Sequence, residues 1–385
     1  MVIAESTRRL LASADACLPK MVRTLRAMVE QESPSFNKAA VDTLGQWLAT
    51  EFAGRGAKIR FHKAKNFGNH LQAEFPGARG RKPVLLLGHF DTVWDVGTLA
   101  TMPWREQRGR LWGPGVLDMK SGIAQMMFAV DMLTELHGAL PRPATVLLVT
   151  DEEVGSESSR AITERVAKQS AAVLVCEPAF GPEGKLKTAR KGVGDFTVHV
   201  RGTASHAGLE PEKGQSAIVE LARQIVRIAE FTEMNRGLTV NPGVVRGGTR
   251  TNVVAAEAVC EVDVRIARKA DAARIEKKFR ALRPVNRRCQ LEVTGGVNRP
   301  PFERTKDVAR LFGIARDIGA EMGINLEECA VGGGSDGNFT VALGIPTLDG
   351  LGAVGEGAHA VHECVVVDQL PRRTALLASL ISRLE

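Results

Sequence analysis

The chain has no tyrosine, and only 14 Phe and 4 Trp stand among its 385 residues. That weakens the case for the aromatic platforms on which single-stranded nucleic acid stacks. No run approaches the roughly 18 apolar residues of a membrane-spanning helix. The N-terminal stretch is broken by Glu5, Arg8, Arg9 and Asp15, so it offers no signal-peptide core and reads as an amphipathic entry helix. The six cysteines are scattered without a CxxC pair, which predicts reduced thiols and a cytoplasmic address. There is no block of five like charges, and Lys plus Arg exceed Asp plus Glu by only 51 − 44 = 7. Read as an excess spread along the chain, this predicts neither a nucleic-acid nor a membrane partner. Internal repeats and low-complexity segments are also missing. What is there is an ordinary globular composition, 44% apolar and 25% charged, at a length that suits two or three domains.

Val84–Leu87, Thr145–Val149 and Ala172–Val175 are apolar without alternation, as strands buried on both faces are. Between the first two, Lys120 to His137 carries Ile123, Met127, Val130 and Leu133 at three- and four-residue spacing. That predicts a helix with one core face, in which Met126, Met127 and Met132 are core filler. Strand, helix, strand at this spacing predicts a parallel α/β sheet. Beyond residue 192 the strands alternate: 196–201, then a helix over 216–231, strands over 238–246 and 260–266, a helix over 271–282 and a strand over 290–294. The order β-α-β-β-α-β is that of a ferredoxin-like α+β unit. The α/β pattern returns with a helix over 307–322, a strand over 345–348 and a helix over 370–384. The expected organisation is therefore a mostly parallel α/β domain over 1–191 and 298–385, interrupted by an inserted domain over 192–297. Linkers are expected near 190–193 and 296–301, where Gly and Pro collect.

Acids and imidazoles recur at the ends of the predicted strands. His89 and Asp91 follow the first, Asp151, Glu152 and Glu153 the second, and Glu177 the third. Asp118 stands in a Gly/Pro loop before the helix, while His359, His362 and Glu363 follow a Gly-rich turn. Each alone is an ordinary loop feature or helix cap. Their agreement is informative because the C-terminal strand ends of an open parallel sheet share one edge, where ligands bind. Two His with several carboxylates and little thiol suit zinc, with cobalt or manganese as substitutes. Gly350, Gly352 and Gly355 also satisfy GxGxxG after a strand. A dinucleotide site needs a helix opened by these glycines and further sheet beyond, and only about 30 residues follow.

The stretches GHFDTVW, WGPGVLDMKSG, TDEEVGSESSR, CEPA, GTASHAG, GGTRTNVV, EVDVR, GGGSDGNF and DGLGAVGEGAHAVHE together resemble the M20 metallopeptidases, in particular the glutamate carboxypeptidase branch. The resemblance runs from about residue 30 to the C-terminus. It implies a two-zinc catalytic domain with an inserted lid that also dimerises. His89 and His359 would each bind one metal, Asp118 would bridge both, and Glu153 and Glu177 would complete one each. His359 is chosen over His362 because the ligand stands four residues before the Glu of the closing motif. His362 is left without a role. Asp91 matches the carboxylate that orients the ligating imidazole, and a cis peptide would follow Asp118. Glu152 would be the general base. His206 would reach the partner subunit's site to stabilise the tetrahedral intermediate. Asn252, Arg265, Gly333, Gly334 and Ser335 match substrate-binding positions. Lys185, eight residues after Glu177, matches a substrate-side lysine, with Arg190-Lys191-Gly192 an alternative basic donor.

The function these readings imply is hydrolysis of the amide bond to a C-terminal amino acid, glutamate favoured, by a homodimer acting on small peptides or N-acyl amino acids. An N-acyl-amino-acid deacylase would use the same site, and a catalytically silent metal-binding protein is the reading from a different class.

Overall fold

The computed structural model describes residues 5–384, which form two compact units. The first takes the chain up to Thr188, Arg304–Ala330 and the stretch from Ser335 onward. The second takes Ala189–Glu303 and Val331–Gly334.

A six-stranded sheet organises the first unit. Its spatial order is Lys58–His62, His70–Phe75, Ala144–Val149, Val84–His89, Ala172–Val175 and Thr347–Leu348. The last four are parallel, and the first two form a hairpin attached antiparallel at one side. The three apolar runs of the sequence are the three central strands, buried at every position. Register aligns their ends, with His89 opposite Val149 and Leu87 opposite Val175. Whatever follows those strands therefore leaves the sheet along one edge.

The helix Ser121–His137 departs from its sequence reading. Every residue from Ser121 to Val130 is buried, so it is buried all round there rather than on one face. The reason is its position: it packs against the strand Val84–His89, the helix Glu5–Val29 and the C-terminal helix Gln369–Arg383. The small residues Gly122, Ala124 and Ala129 make such three-sided contact possible. Met126, Met127 and Met132 lie in that core. The entry helix spans Glu5–Val29 and buries Leu10, Ala14, Met21, Leu25 and Met28, the amphipathic stripe expected.

A second, antiparallel sheet escaped the sequence reading. Arg105–Gln107, Arg110–Trp112, Cys364–Val366 and Gly355–Glu356 pair side by side. Cys364 lies opposite Trp112, so the loop that starts at Gly113 and the turn that ends at Glu363 are held together. The glycines Gly350, Gly352 and Gly355 open no helix. Gly352 N–H donates to the Glu177 carbonyl at 2.8 Å, and a Cβ on Gly352 would stand 2.6 Å from that oxygen. Close approach of two backbones, not a phosphate, accounts for them.

In the second unit the strands Gly192–Arg201, Thr239–Gly247, Glu257–Ile266 and Gln290–Arg299 form one antiparallel sheet. Its order places Thr239–Gly247 at one edge and Gln290–Arg299 at the other. With the helices Ala217–Ala229 and Lys269–Arg280 this is the ferredoxin-like arrangement. Phe196 stacks on Phe279 at 3.9 Å within its core. The segments expected to be linkers are paired instead. Arg190 and Phe302 exchange both backbone hydrogen bonds, and Gly192 and Arg299 lie within strands. Gly295, at φ +91°, would place a Cβ 2.0 Å from the Asp195 carbonyl, so glycine collects there because neighbouring strands crowd. The unit's own bounds accordingly stand outside 192–297.

Charge is also distributed otherwise than expected. Arg268 to Arg288 holds nine Lys or Arg and two Asp or Glu, a net of 9 − 2 = 7, which equals the excess of the whole chain. The basic excess belongs to one helix and the loop after it. Among the described residues no helix is long and apolar enough to cross a membrane, and none of the six cysteines is in a disulfide.

Candidate active site

His89 is the last residue of its strand, and its side chain is 1% exposed. Its Nδ1 lies 3.0 Å from the Asp91 carbonyl oxygen. Donation there fixes the tautomer and leaves Nε2 facing Asp118 Oδ1 at 3.1 Å and Glu177 Oε1 at 3.4 Å. His359, held at φ +60°, faces the other side of the same carboxylate. Its Nε2 lies 3.5 Å from Asp118 Oδ2 and 3.0 Å from Glu153 Oε2. Asp118 thus presents one oxygen to each of two imidazole–carboxylate pairs, and the peptide bond after it is cis. Glu152 joins the group: ligand atoms of His89, Glu152 and Glu177 lie within 4.8 Å of one another, as do those of His89, Asp118 and Glu153.

The electrostatics follow from packing carboxylates and imidazoles out of water. Burial pushes the Asp118 carboxyl upward, but the rings of His359 and His89 overcome this and hold it far below its usual range. Burial raises Glu153 to about 7, aided by the Asp118 charge and opposed by His359. Hydrogen bonds to Asp118 and Glu153 raise His359 to about 10. The group is therefore rich in negative charge, and Glu153 Oε1 is buried with no hydrogen-bond partner among the described residues. An oxygen-and-imidazole donor set with an unsatisfied buried carboxylate oxygen fits divalent cations of the zinc type.

Two acids position this set. The Asp91 carboxylate accepts from the Ser35 hydroxyl at 2.7 Å and from the N–H groups of Glu152 and Glu153 at 3.4 and 3.3 Å. Its Oδ1 is 3.4 Å from His89 Nδ1, so its carbonyl orients the imidazole more closely than its carboxylate does. Glu363 served the sequence reading only as a ruler for His359. It is fully buried and accepts from the Trp94 indole and from the N–H groups of Gly115, Leu117 and Asp118, at 2.9 to 3.0 Å. It fixes the loop that carries Asp118. A Glu closing a Gly-rich turn was the only signal for it. His362, beside it, is exposed.

The other expected residues have local partners of their own. Ser335 is fully buried and donates its hydroxyl to Asp349 at 2.6 Å, which commits that group to holding its own loop. Lys185 pairs with Glu327 at 2.7 Å on the surface. His206, Asn252, Arg265, Gly333 and Gly334 belong to the second unit. There the carbonyls of Gly333 and Gly334 accept from Arg190 at 3.3 and 3.1 Å. Arg265 forks onto Asp263, both Oδ atoms 3.0 Å from its Nε. The Asn252 carbonyl accepts from Ala207 N–H, and its side chain is exposed. His206 is exposed as well, and its Nδ1 accepts from the N–H groups of Gly208 and Leu209, both at 3.1 Å. The ring proton of the neutral imidazole therefore sits on Nε2.

Comparison with known proteins agrees with this geometry. Residues 85–383 match the model of peptidase family M20/M25/M40. The chain is 30% identical over 372 residues to carboxypeptidase G2 of Pseudomonas sp. (strain RS-16), covering 94% of this chain and 89% of that one. It is 26% identical to a succinyl-diaminopimelate desuccinylase of Dechloromonas aromatica, over 77% and 82% of the two chains. Among solved structures, aminopeptidase PepT from Bacillus cereus superposes with a TM-score of 0.75 at 22% identity, covering 95% of this chain and 98% of that one. The M20 family metallo-carboxypeptidase Sso-CP2 from Sulfolobus solfataricus does so with a TM-score of 0.74 at 16% identity, covering 94% and 98%. These two show the shared fold. From the family match and the extended identity, this chain belongs to peptidase family M20/M25/M40, whose members are metal-dependent hydrolases of peptide and related amide bonds.

Proposed function

We propose that the protein is a two-zinc hydrolase that cleaves the amide bond to a C-terminal amino acid, glutamate favoured. One observation carries the reading: the two oxygens of Asp118 face two separate imidazole–carboxylate pairs. His89 with Glu177 would hold one metal and His359 with Glu153 the other, Asp118 serving both. Two bound cations would make hydroxide available near neutral pH and polarise the scissile carbonyl. Glu152, whose backbone N–H is tethered to Asp91, takes the proton of the attacking water and delivers it to the leaving amine. His206 donates from Nε2 to the developing oxyanion of the partner subunit's substrate. Arg265 and Asn252, with the backbone of Gly333 and Gly334, bind the amino-acid side.

A homodimer through the second unit is part of this reading. Its helix Ala217–Ala229 exposes Ile218, Val219 and Val226, and its edge strand Thr239–Gly247 exposes Val244 and Val245. Such apolar groups beside an unpaired strand edge favour association. The unbonded thiols suit the reducing cytoplasm. The test is a panel of X-Glu, X-Asp and N-acetyl amino acids on protein loaded with zinc or cobalt. Release of the C-terminal amino acid, fastest for Glu, is the expected result. No turnover of any member, with two metals bound, would leave a silent metal-binding protein.

A further inference from the structure

The strand His70–Phe75 runs antiparallel to Ala144–Val149, with Leu71 opposite Leu148. Its first residue therefore lies at the end where the parallel strands finish, beside the turn that follows Val149. His70 is fully buried there, and the sequence reading gave it no role. Its Nε2 stands 3.1 Å from the Ser158 hydroxyl, and its Nδ1 stands 3.0 Å from that of Thr150. The Thr150 hydroxyl is held in turn by the Gly68 carbonyl at 2.5 Å. Ser158 commits its one hydroxyl proton to Asp151 Oδ2 at 2.7 Å, so toward the ring it can only accept. Burial, aided by His62, keeps His70 below the ordinary imidazole range, against the opposing effect of Asp151, Asp91 and Asp336. A neutral ring has a single N–H, and the Ser158 contact places it on Nε2.

What Ser158 holds is the turn at the rim. Asp151, also fully buried, closes the chain from 151 to 159 on itself. Its Oδ2 accepts from the N–H groups of Ser158 and Ser159 at 2.7 and 3.3 Å, and its carbonyl accepts from Ser156 N–H at 2.7 Å. Oδ1 is buried with no hydrogen-bond partner among the described residues, so the carboxylate acts through Oδ2 alone. The residues enclosed next to Asp151 are Glu152 and Glu153, in the short turn Glu152–Val154. Asp91 fastens the same turn from the other side, through longer contacts of 3.4 and 3.3 Å to its N–H groups. We infer that His70 is a positioning residue for the hydrolysis: through Ser158 and Asp151 it fixes the turn that presents Glu152 to the attacking water. The inference rests on the assignment of Glu152 as general base.

The test compares His70→Leu, His70→Gln and Ser158→Ala under saturating zinc, on an X-Glu substrate that the wild type turns over. His70→Leu should lower kcat by about 10–100-fold, the scale on which a misplacement of up to about 1 Å acts. KM should change little, because the turn carries no group for the amino-acid side. His70→Gln, whose amide can offer an N–H near the place of Nε2, should recover most of kcat. Adding Ser158→Ala to His70→Leu should cost little more, since the two act in series. Equal losses for Leu and Gln, a loss in KM alone, or additive losses would overturn the assignment. Should His70→Leu fail to fold, Ser158→Ala with and without His70→Gln carries the same comparison. The imidazole N–H separates the brace from the chemistry. With isotope-labelled histidine, NMR should resolve a protected His70 Nε2–H that shifts in Ser158→Ala. If that shift is seen while Glu152→Gln leaves turnover intact, the brace stands and the general-base assignment falls. No proton on Nε2 sinks the brace itself.

Discussion

The two units bury their sheets in different ways, and the difference governs where chemistry can sit. In the first, Val84–His89 and Ala144–Val149 are buried at every position. Polar side chains can emerge only where the strands end, so His89, the Asp151–Glu153 turn and Glu177 are forced to one rim. In the second, Gly192–Arg201 alternates between buried and open positions. Of its candidate residues, His206 and Asn252 stand exposed on loops, and Arg265 lies half-buried on the wet face, paired with Asp263. The groups of a buried rim are held by their own neighbours, whereas a group on a loop or a wet face is open to whatever is brought to it.

The sharpest way to break that contrast is Glu152→Gln. Turnover should fall by roughly 10²–10⁴-fold while two metal equivalents remain by elemental analysis. Loss of one equivalent would mean that Glu152 and Glu153 exchange roles. Next, mixing His206→Ala with Glu152→Gln subunits should recover part of the activity, because one composite site in each heterodimer is intact. Verified heterodimers without recovery would confine catalysis to the first unit. Glu363→Gln probes the rim's internal support: one amide cannot accept the four N–H groups that the carboxylate does. Metal affinity, read by competition with a chelator, should drop by about 10–100-fold.

Arg265→Lys tests the exposed side. It should cost roughly 1.5–3 kcal/mol in kcat/KM for carboxylate substrates and much less for the matching C-terminal amides. Equal losses on acid and amide would leave Arg265 as the partner of Asp263 and no more. The smallest effect concerns stability. Arg383 holds the Glu321 carboxyl below its usual range, with Thr7 also donating to it. A carboxyl depressed in the folded state contributes stability above its unfolded pKa and loses it as pH falls through the folded value. Glu321→Gln should therefore lower stability by about 1 kcal/mol at pH 7 and by nothing measurable in acid, as thermal melts at several pH values would reveal.

The three central strands, the inserted βαββαβ order, the amphipathic entry helix and the residues of the rim were all legible in the sequence. Apolar runs, alternation and strand-end polarity are local patterns that burial imposes directly. Three things were not legible. The short strands Arg110–Trp112 and Cys364–Val366 have no pattern of their own, and only their mutual pairing brings His359 to Asp118. Glu363 is an ordinary acid until the backbone N–H groups of a loop 245 positions earlier converge on it. Ser335 looked available in GGGSDGNF, and only packing turned its hydroxyl toward Asp349. The sequence by itself determined which elements form and which chemical groups leave their ends, because those depend on neighbours within a few residues. Tertiary structure alone decided which of those groups meet, which are consumed in holding loops, and that His70 stands beside Ser158, because contacts between distant segments follow from how the faces pack.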